Sequence, residues 1–530
     1  MFYVYVRIGV LELICEGIMK KRALISVYDK TGVVDFAKKL QDDFHYEIVS
    51  TGATSKTLSE AGIRVIEVSE ITNFPEMLSG KVKTLHPAIF GGILADTTLD
   101  KELEEIAKLG IEGFSIVAVN LYPFKEVSKK TADEKELLKN IDIGGCSLLR
   151  AAAKNNKNVL AVSSPSQYSK VIAELQMLGG RFSDEMSKLF AQQVFDLTSQ
   201  YDICISNALK NIYGSDDEFF TLCLEKLENF ELRYGENPHQ KATLYKTDKM
   251  LDYEVLQGKA LSFNNIMDAT AALGIVSEFY DVPSCAIIKH STPCGVALGK
   301  DVLEAYTKAL DCDPVSAFGG IVAFSQEVNE SLAKQLTALF LEIVIAPSFT
   351  EGAMKLFETK KNLRVIKLNT PLKDYSEFLS NDIKVTPFGV LVQTADTKQL
   401  DSETFKVVTK EKPSSELVED MIFAWKVAKH VKSNAIVVAK DFKTLGICGG
   451  QTSRIDALEI ALNRACDSSK DAVLASDGFF PAIDNIHSAA QGRIKAIIQP
   501  GGSIKDKEVI AQADKYAMTM IMTGIRHFKH

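Results

Sequence analysis

Lys289 and His290 stand side by side behind a short apolar run, residues 285–288, and ahead of Ser291-Thr292-Pro293-Cys294-Gly295. A single histidine is more often a satisfied structural group. One at a strand end, beside a lysine and before a Pro-Cys-Gly turn, is a better candidate for a general base. Nearby, Arg233-Tyr234-Gly235-Glu236-Asn237-Pro238-His239-Gln240 packs loop-forming and reactive residues together without apolar periodicity. Such a segment serves a core poorly, which favours function. Further polar segments lie at 313–320, at Lys432-Ser433-Asn434, at 449–454, at 476–481 and at 499–503. The chain ends Thr523-Gly524-Ile525-Arg526-His527-Phe528-Lys529-His530 behind an apolar run. Tails usually fray, but one carrying arginine, histidine and an aromatic has the makings of a segment that docks into a site.

The first half offers a different chemistry. Ser50-Thr51-Gly52-Ala53-Thr54 falls between a strand and a helix, where hydroxyls and unpaired N–H groups suit an anion. An N-cap plus a turn explains the same residues equally well. Ser79-Gly80-Lys81-Val82-Lys83-Thr84-Leu85-His86-Pro87 has two lysines beside a glycine and a hydroxyl, a phosphate-binding set, although charged loop residues are usually only solvated. Asn120-Leu121-Tyr122-Pro123-Phe124 closes a strand, where α/β proteins place ligands. Asp142 precedes a helix that reaches Lys154; these are a candidate acid–base pair, or a cap and a solvated helix end.

Metal and redox chemistry are disfavoured by spacing. The neighbours of His290 suggest a zinc deaminase, which needs H-x-E together with P-C-x-x-C. Thr292 stands where the glutamate belongs and Ala297 where the second cysteine belongs, so zinc is rejected and no metal ligand is assigned. The nine cysteines are scattered and never spaced C-x-x-C, as expected of reduced thiols in a cytoplasmic protein.

The elements that must position these groups follow from periodicity. Residues 23–27, 46–49, 116–119 and 159–162 predict strands, and Val33, Phe36, Ala37 and Leu40 share a helical face. Strands alternating with helices predict an α/β domain with a mostly parallel sheet. The alternation breaks at 211–231, which marks the domain boundary. A second α/β region follows, with strands near 285–288, 319–324, 434–439, 444–448 and 494–498. The length of 530 residues suits two to four domains. Lys plus Arg number 61 against 69 Asp plus Glu, a net charge of −8. That balance disfavours nucleic acid and anionic membrane, because no broad basic surface is available for phosphate backbones. Residues 1–18 are apolar but interrupted by Arg7, Glu12 and Glu16, too short and too charged to span a bilayer. They read as a non-functional extension before Met19.

Taken in order, the segments SVYDKTG, STGAT, KVKTLHP, NLYPF, IDIGG, LLRAAAKN, RYGENPHQ, SFNNIMDA, PVSAFGGIVAF, GGQTSRIDA, SDGFFP, IQPGGSI and TGIRHF closely resemble one family, the bifunctional AICAR transformylase/IMP cyclohydrolases of purine biosynthesis. The likeness runs from about residue 22 to residue 530. It implies a methylglyoxal-synthase-like cyclohydrolase domain over 19–215. It also implies a transformylase over 216–530 built from two cytidine-deaminase-like α/β subdomains without zinc. By the same resemblance the enzyme is an intertwined homodimer with transformylase sites at the subunit interface. It takes AICAR and 10-formyltetrahydrofolate, passes through formyl-AICAR and releases IMP, with no tightly bound cofactor. Family members can carry a potassium ion near the transformylase site.

The resemblance also assigns roles. His290 is the proton acceptor, Lys289 the cation that stabilises charge or protonates the leaving folate nitrogen, and Asn434 an amide donor for the formyl oxygen. Arg233, Tyr234 and Arg526 match nucleotide-binding positions. Phe318, Gly319, Ile455 and Phe479 lie in segments facing flat rings, and Glu342 stands where the family often has an acid contacting the pterin. In the cyclohydrolase, Ser26, Lys30, Ser50, Thr51, Gly52, Thr54, Lys81, Lys83 and Thr84 match nucleotide- and phosphate-binding segments. Tyr122, Asp142 and Lys154, with Lys83, match residues proposed for proton transfer. Three departures bear on affinity: Lys81 replaces a common arginine, Tyr28 a serine, and Ser291-Thr292 the commoner Ala-Asn.

Two other classes compete. A nucleotide-binding regulator without turnover predicts damage at Lys289, His290, Asp142 or Lys154, and all four are intact. A lone methylglyoxal-synthase-like lyase leaves the second half without a purpose.

Overall fold

The computed structural model describes residues 21–78, 80–214, 224–227, 230–247, 249–379, 381–400 and 405–530. The extension at 1–18, residue 79 of the lysine-rich segment and the middle of the expected domain boundary lie outside the described residues. The chain divides into two compact units, Met1–Cys223 and Leu224–His530.

In the first unit, short apolar strands alternate with helices as the sequence predicts. The strands are β1 (Arg22–Val27), β2 (Glu47–Ser50), β3 (Val65–Glu67), β4 (Ile116–Asn120) and β5 (Leu160–Val162). They form one parallel sheet in the order β3-β2-β1-β4-β5. The strand at 65–67 was not expected; only three half-buried residues form it. Helix α1 (Val33–Phe44) buries Val33, Phe36, Ala37 and Leu40 against the sheet, the face that periodicity picks out. Helix α2 (Gly52–Glu60) follows β2, α3 (Gly144–Lys154) carries the IDIGG segment, and α4 (Asp184–Tyr213) is thirty residues long. Because every strand is parallel, the ends of β1, β2 and β4 open on one edge, where such sheets bind ligands.

The second unit is built around a twelve-stranded sheet containing an internal duplication. Its first half comprises β6 (Tyr253–Gln257), α5 (Phe263–Ser277), β7 (Ser284–Lys289), β8 (Thr292–Leu298), α6 (Val302–Leu310), β9 (Gly320–Phe324), β10 (Leu341–Ala346) and β11 (Arg364–Leu368). Its second half comprises β12 (Lys406–Val407), α7 (Ser415–Ala428), β13 (Ile436–Lys440), β14 (Lys443–Cys448), α8 (Arg454–Ala465), β15 (Val473–Ser476), β16 (Ala496–Gln499) and β17 (Thr519–Met522). The order is β12-β17-β16-β15-β13-β14-β8-β7-β9-β10-β11-β6. Read outward from the central β14/β8 pair, each half is a hairpin, three mutually parallel strands and an antiparallel edge strand. One detail repeats closely. A Cβ on Gly295 would fall 1.9 Å from the Ala309 carbonyl oxygen, and one on Gly446 would fall 2.1 Å from that of Ala461. Glycine lets the helix lie directly on the strand at both places.

One expectation needs correction. Pro293-Cys294-Gly295 is not a turn but part of β8; the turn is His290-Ser291 itself. Proline rarely sits inside a paired strand, and here the register shifts between Pro293 and Gly295, which accommodates it.

Candidate active sites

In the first unit, groups from five loops meet at the ligand-binding edge. The hydroxyls of the STGAT segment are largely committed to the fold. Ser50 Oγ donates to the Ile25 carbonyl (2.6 Å), and Thr54 Oγ1 donates to the Val27 carbonyl (2.9 Å) and accepts the Val27 N–H. Thr51 Oγ1 donates to Glu76 (2.8 Å). What faces outward is the start of α2, whose first N–H groups have no partner within the helix. Gly52 is left-handed (φ 57°), and a Cβ there would come within 3.0 Å of Lys83 Nζ. Lys30 Nζ is anchored on the Val27 carbonyl at 2.6 Å. Burial pushes the Lys30 amine below its usual range, Asp29 partly restores it, and the like charge of Lys83 lowers it further. Two ammonium groups near a helix start form a site for an anion.

Acid–base groups adjoin it. Asp142 Oδ1 accepts the Gly145 N–H at 2.7 Å, so the capping role is real. Burial raises the carboxyl, while the N–H groups of Gly145 and Tyr122 and the charge of Lys83 pull it back; the net direction is up. Burial and then Asp142 raise Tyr122. The close packing depends on glycine: a Cβ on Gly145 would lie 2.6 Å from Asp142 Oδ2, and one on Gly144 3.2 Å from Thr84 Oγ1. Lys83 thus faces both the anion site and the acid. Ser26 is half-buried on β1, and Lys81 is exposed. Lys154 is exposed at the far end of α3, roughly 15 Å along the helix axis from its start, so it does not join Asp142 within the chain.

In the second unit, strand directions bring two groups to one sheet edge. β7 ends there at Lys289, and β9 begins there, with Ile321 opposite Ile288. β14 ends and β13 begins there, with Ile436 opposite Cys448, and β15 ends there, with Ser476 opposite Ile436. In the first group, Lys289 Nζ donates to the carbonyls of Phe318 and Gly319, both at 3.0 Å, and Gly319 is left-handed (φ 68°). The exposed Phe318 ring lies against Phe340, centroids 5.3 Å apart. His290 is exposed on its turn, and its ring has no hydrogen bond among the described residues. Glu342 is the second residue of β10 and is held by the buried Arg364 at 2.7 Å.

The second group lines a cavity of about 390 Å³ bounded by Asn434, Arg454, Ile455, Phe479, Asn485 and Phe528 among others. Asn434, Ile455 and Phe479 are therefore brought together, and the tail reaches the same cavity through Phe528. Arg526 stacks over Phe528 at 4.3 Å. Arg233 lies over its neighbour Tyr234 at 5.4 Å, and neither lines this cavity. The Asn434 amide is not a free donor, because its Nδ2 gives hydrogen bonds to the carbonyls of Gln451 (3.0 Å) and Thr452 (3.3 Å). Its Oδ1 accepts from Arg454.

Sequence reasoning passed over Arg454 and Asp477 as individual residues. Both are buried, paired at 2.5 Å, and together fix Asn434, Ser433 and the start of β13. The signal was present in GGQTSRIDA and SDGFFP, but only the fold pairs the two charges.

These sites define a two-unit α/β enzyme, with an anion-and-acid site in one unit and, in the other, an exposed histidine on the sheet edge that also bears an aromatic-lined cavity. A model of the AICARFT/IMPCHase bienzyme matches residues 152–464, and one of the MGS-like domain matches residues 32–147. The bifunctional purine biosynthesis proteins PurH of Bacillus cereus strain AH187, Bacillus anthracis strain A0248 and Bacillus thuringiensis strain Al Hakam are each 47% identical over 519 residues. Those matches cover 97% of this chain and 100% of each relative. Among solved structures, the crystal structure of ForH is 28% identical and covers 36% of this chain and 98% of its own, with a TM-score of 0.32. The chain belongs to the AICARFT/IMPCHase bienzyme family: it is a bifunctional AICAR formyltransferase and IMP cyclohydrolase of the last two steps of IMP biosynthesis, and its transfer step uses a folate cosubstrate. Among the described residues no helix is long and apolar enough to cross a membrane.

Proposed function

We propose that the two reactions are divided between the two units, formyl transfer in residues 216–530 and ring closure in residues 19–215. In transfer, the 5-amino group of AICAR attacks the formyl carbon of 10-formyltetrahydrofolate. The amine is a weak nucleophile because its lone pair delocalises into the imidazole. His290 takes its proton as the new C–N bond forms. The tetrahedral oxyanion is stabilised electrostatically, and the bond to N10 then breaks as that nitrogen gains a proton. Lys289 supplies positive charge beside His290, held in place by two carbonyls. Asn434 reaches the formyl oxygen only if its bonds to Gln451 and Thr452 are exchanged on binding. Phe318, Gly319, Ile455 and Phe479 provide surface for the flat rings. Arg233, Tyr234 and Arg526 bind the nucleotide, and Glu342 binds the pterin.

Ring closure is intramolecular: the carboxamide nitrogen of formyl-AICAR attacks the formyl carbon and water leaves. Folding the substrate so that both groups meet supplies much of the rate. Ser26, Lys30, Ser50, Thr51, Gly52, Thr54, Lys81 and Thr84 bind the nucleotide and its phosphate. Lys83, Tyr122 and Asp142 move protons. Lys154 belongs to this set only if a second copy of the chain brings it. The enzyme is a cytoplasmic homodimer in this reading. A surface hairpin supports it: Val385, Phe388, Val390 and Leu391 are all exposed there, Phe388 fully. A potassium ion near the transformylase site belongs to the same reading. Replacing potassium by tetramethylammonium during assay tests it.

The observation that carries the transfer assignment is the uncommitted His290 ring beside a fixed lysine, on the sheet edge that also bears the Asn434 cavity. A paired assay tests it. Wild type given AICAR and 10-formyltetrahydrofolate should release tetrahydrofolate and form IMP. His290→Ala should fail at transfer yet still cyclise supplied formyl-AICAR. Loss of both reactions, or of neither, removes the division.

A further inference from the structure

The hairpin that carries His290 occurs twice in the same sheet. β7 and β8 are joined by His290-Ser291 (φ 51° and 58°), and β13 and β14 by Asp441-Phe442 (φ 52° and 54°). Lys289 pairs with Thr292 and Lys440 with Lys443, so both loops are two residues long with both residues left-handed. That backbone usually takes Asn-Gly, because a Cβ opposes it. Neither loop contains glycine or asparagine.

Each strained turn is held by a carboxylate at the same place. Asp268 is the sixth residue of α5 and Asp420 the sixth residue of α7. Asp268 Oδ1 accepts the Ser291 N–H at 2.7 Å and the Ser291 hydroxyl at 3.2 Å. Asp420 accepts the N–H groups of Asp441 and Phe442 at 2.9 and 2.8 Å. The duplicated device serves different ends. The His290 turn lies on the edge shared with Asn434, whereas the Asp441 turn lies on the opposite edge, where β13 ends.

We infer that Asp268 is a positioning residue for formyl transfer: by fixing the left-handed His290-Ser291 turn, it holds the imidazole where the AICAR amine must lose its proton. This rests on the reading of His290 as proton acceptor. Asp420 provides an internal control, since it does the same backbone work at a turn to which no chemistry is assigned.

The full-length protein is assayed as Asp268→Ala, Asp268→Asn, Asp420→Ala, His290→Ala and the double variant Asp268→Ala with Ser291→Gly. Transfer kcat, KM for AICAR, cyclisation of supplied formyl-AICAR and Tm are measured for each. Asp268→Ala is expected to lower transfer kcat on the order of 100-fold, the scale of a misplaced catalytic group, with KM and cyclisation little changed. Asp268→Asn should recover most of that loss, because its amide oxygen still accepts from Ser291. Ser291→Gly, which relaxes the left-handed strain, should partly restore the double variant, and decides the matter if the single alanine variant does not fold. Asp420→Ala should lower Tm at least as much while transfer stays within about twofold of wild type. Transfer unchanged in Asp268→Ala, equal loss in Asp420→Ala, or no restoration by glycine overturns the inference. Transfer retained by His290→Ala instead removes the reading beneath it, a distinguishable result.

Discussion

Arg454 Nη2 lies 2.7 Å from Asn434 Oδ1 while Nη1 of the same guanidinium binds Asp477 at 2.5 Å. One buried arginine therefore orients a site amide and neutralises a carboxylate that has no solvent exposure. Removing it strands Asp477 inside the protein. Arg454→Ala should cost about 3–5 kcal/mol of stability, the usual penalty for breaking a buried pair. It should also lower transfer, because Asn434 Oδ1 loses the donor that orients it. Thermal unfolding beside the transfer assay checks both.

His290→Ala should reduce formyl transfer by roughly 10²–10⁴, the range for a lost general base. Because His290 is exposed and its ring has no hydrogen bond among the described residues, Tm should stay close to that of wild type. Kinetics and melting on the same preparation separate loss of chemistry from loss of fold.

What the sequence made legible was local. The strand Arg22–Val27 and the buried face of α1 follow from apolar spacing. The strand Leu341–Ala346 went unseen because a short apolar run does not distinguish strand from buried helix. Residues 293–295 read as a turn because proline normally ends a strand, and only the bulge reveals why the strand continues. For the proposed sites, Lys289-His290 and Lys83 stand out by type and place. Arg454–Asp477 and Asp268–Ser291 are 23 residues apart each, contacts that no local pattern encodes.

Asp142→Asn should abolish cyclisation and leave transfer intact. It should also stabilise the protein at neutral pH. Burial raises the folded-state carboxyl above its value in the open chain. Folding is therefore favoured with the proton on, and that contribution is lost as pH rises through the folded value. The amide avoids the loss and keeps the bond from Gly145. The Tm advantage of the variant should shrink as pH falls and vanish below about 3.8, the usual aspartate value. A Tm series against pH reads this directly.

Phe388→Asp should dissociate the proposed homodimer. The residue tips a two-stranded hairpin, Asp382–Thr386 with Gly389–Gln393, whose apolar side chains are open to solvent in the single chain. A patch of that kind marks an interaction surface. Sedimentation velocity should show a dimer for wild type and a shift toward monomer for the variant, accompanied by loss of transfer if the site is shared between subunits.

Glu278 is buried and faces the Lys429 ammonium, Nζ at 2.8 Å, and the His430 imidazole, Nε2 at 3.2 Å. Burial alone would raise its carboxyl, but the bonds and charges of His430 and Lys429 outweigh that and bring it down to about 2. Burial also lowers His430, against the pull of Glu278. A carboxylate with a depressed folded value stabilises above its open-chain value and loses that contribution as pH falls through the folded one. The Glu278→Gln variant leaves Lys429 buried without its counter-charge, so at neutral pH it should be less stable by about 3–5 kcal/mol. The gap between wild type and variant should hold above pH 4.5 and close progressively toward pH 2. Denaturant unfolding at a series of pH values checks this, and a gap that stays constant down to pH 2 would show that packing, rather than charge, sets the role of Glu278.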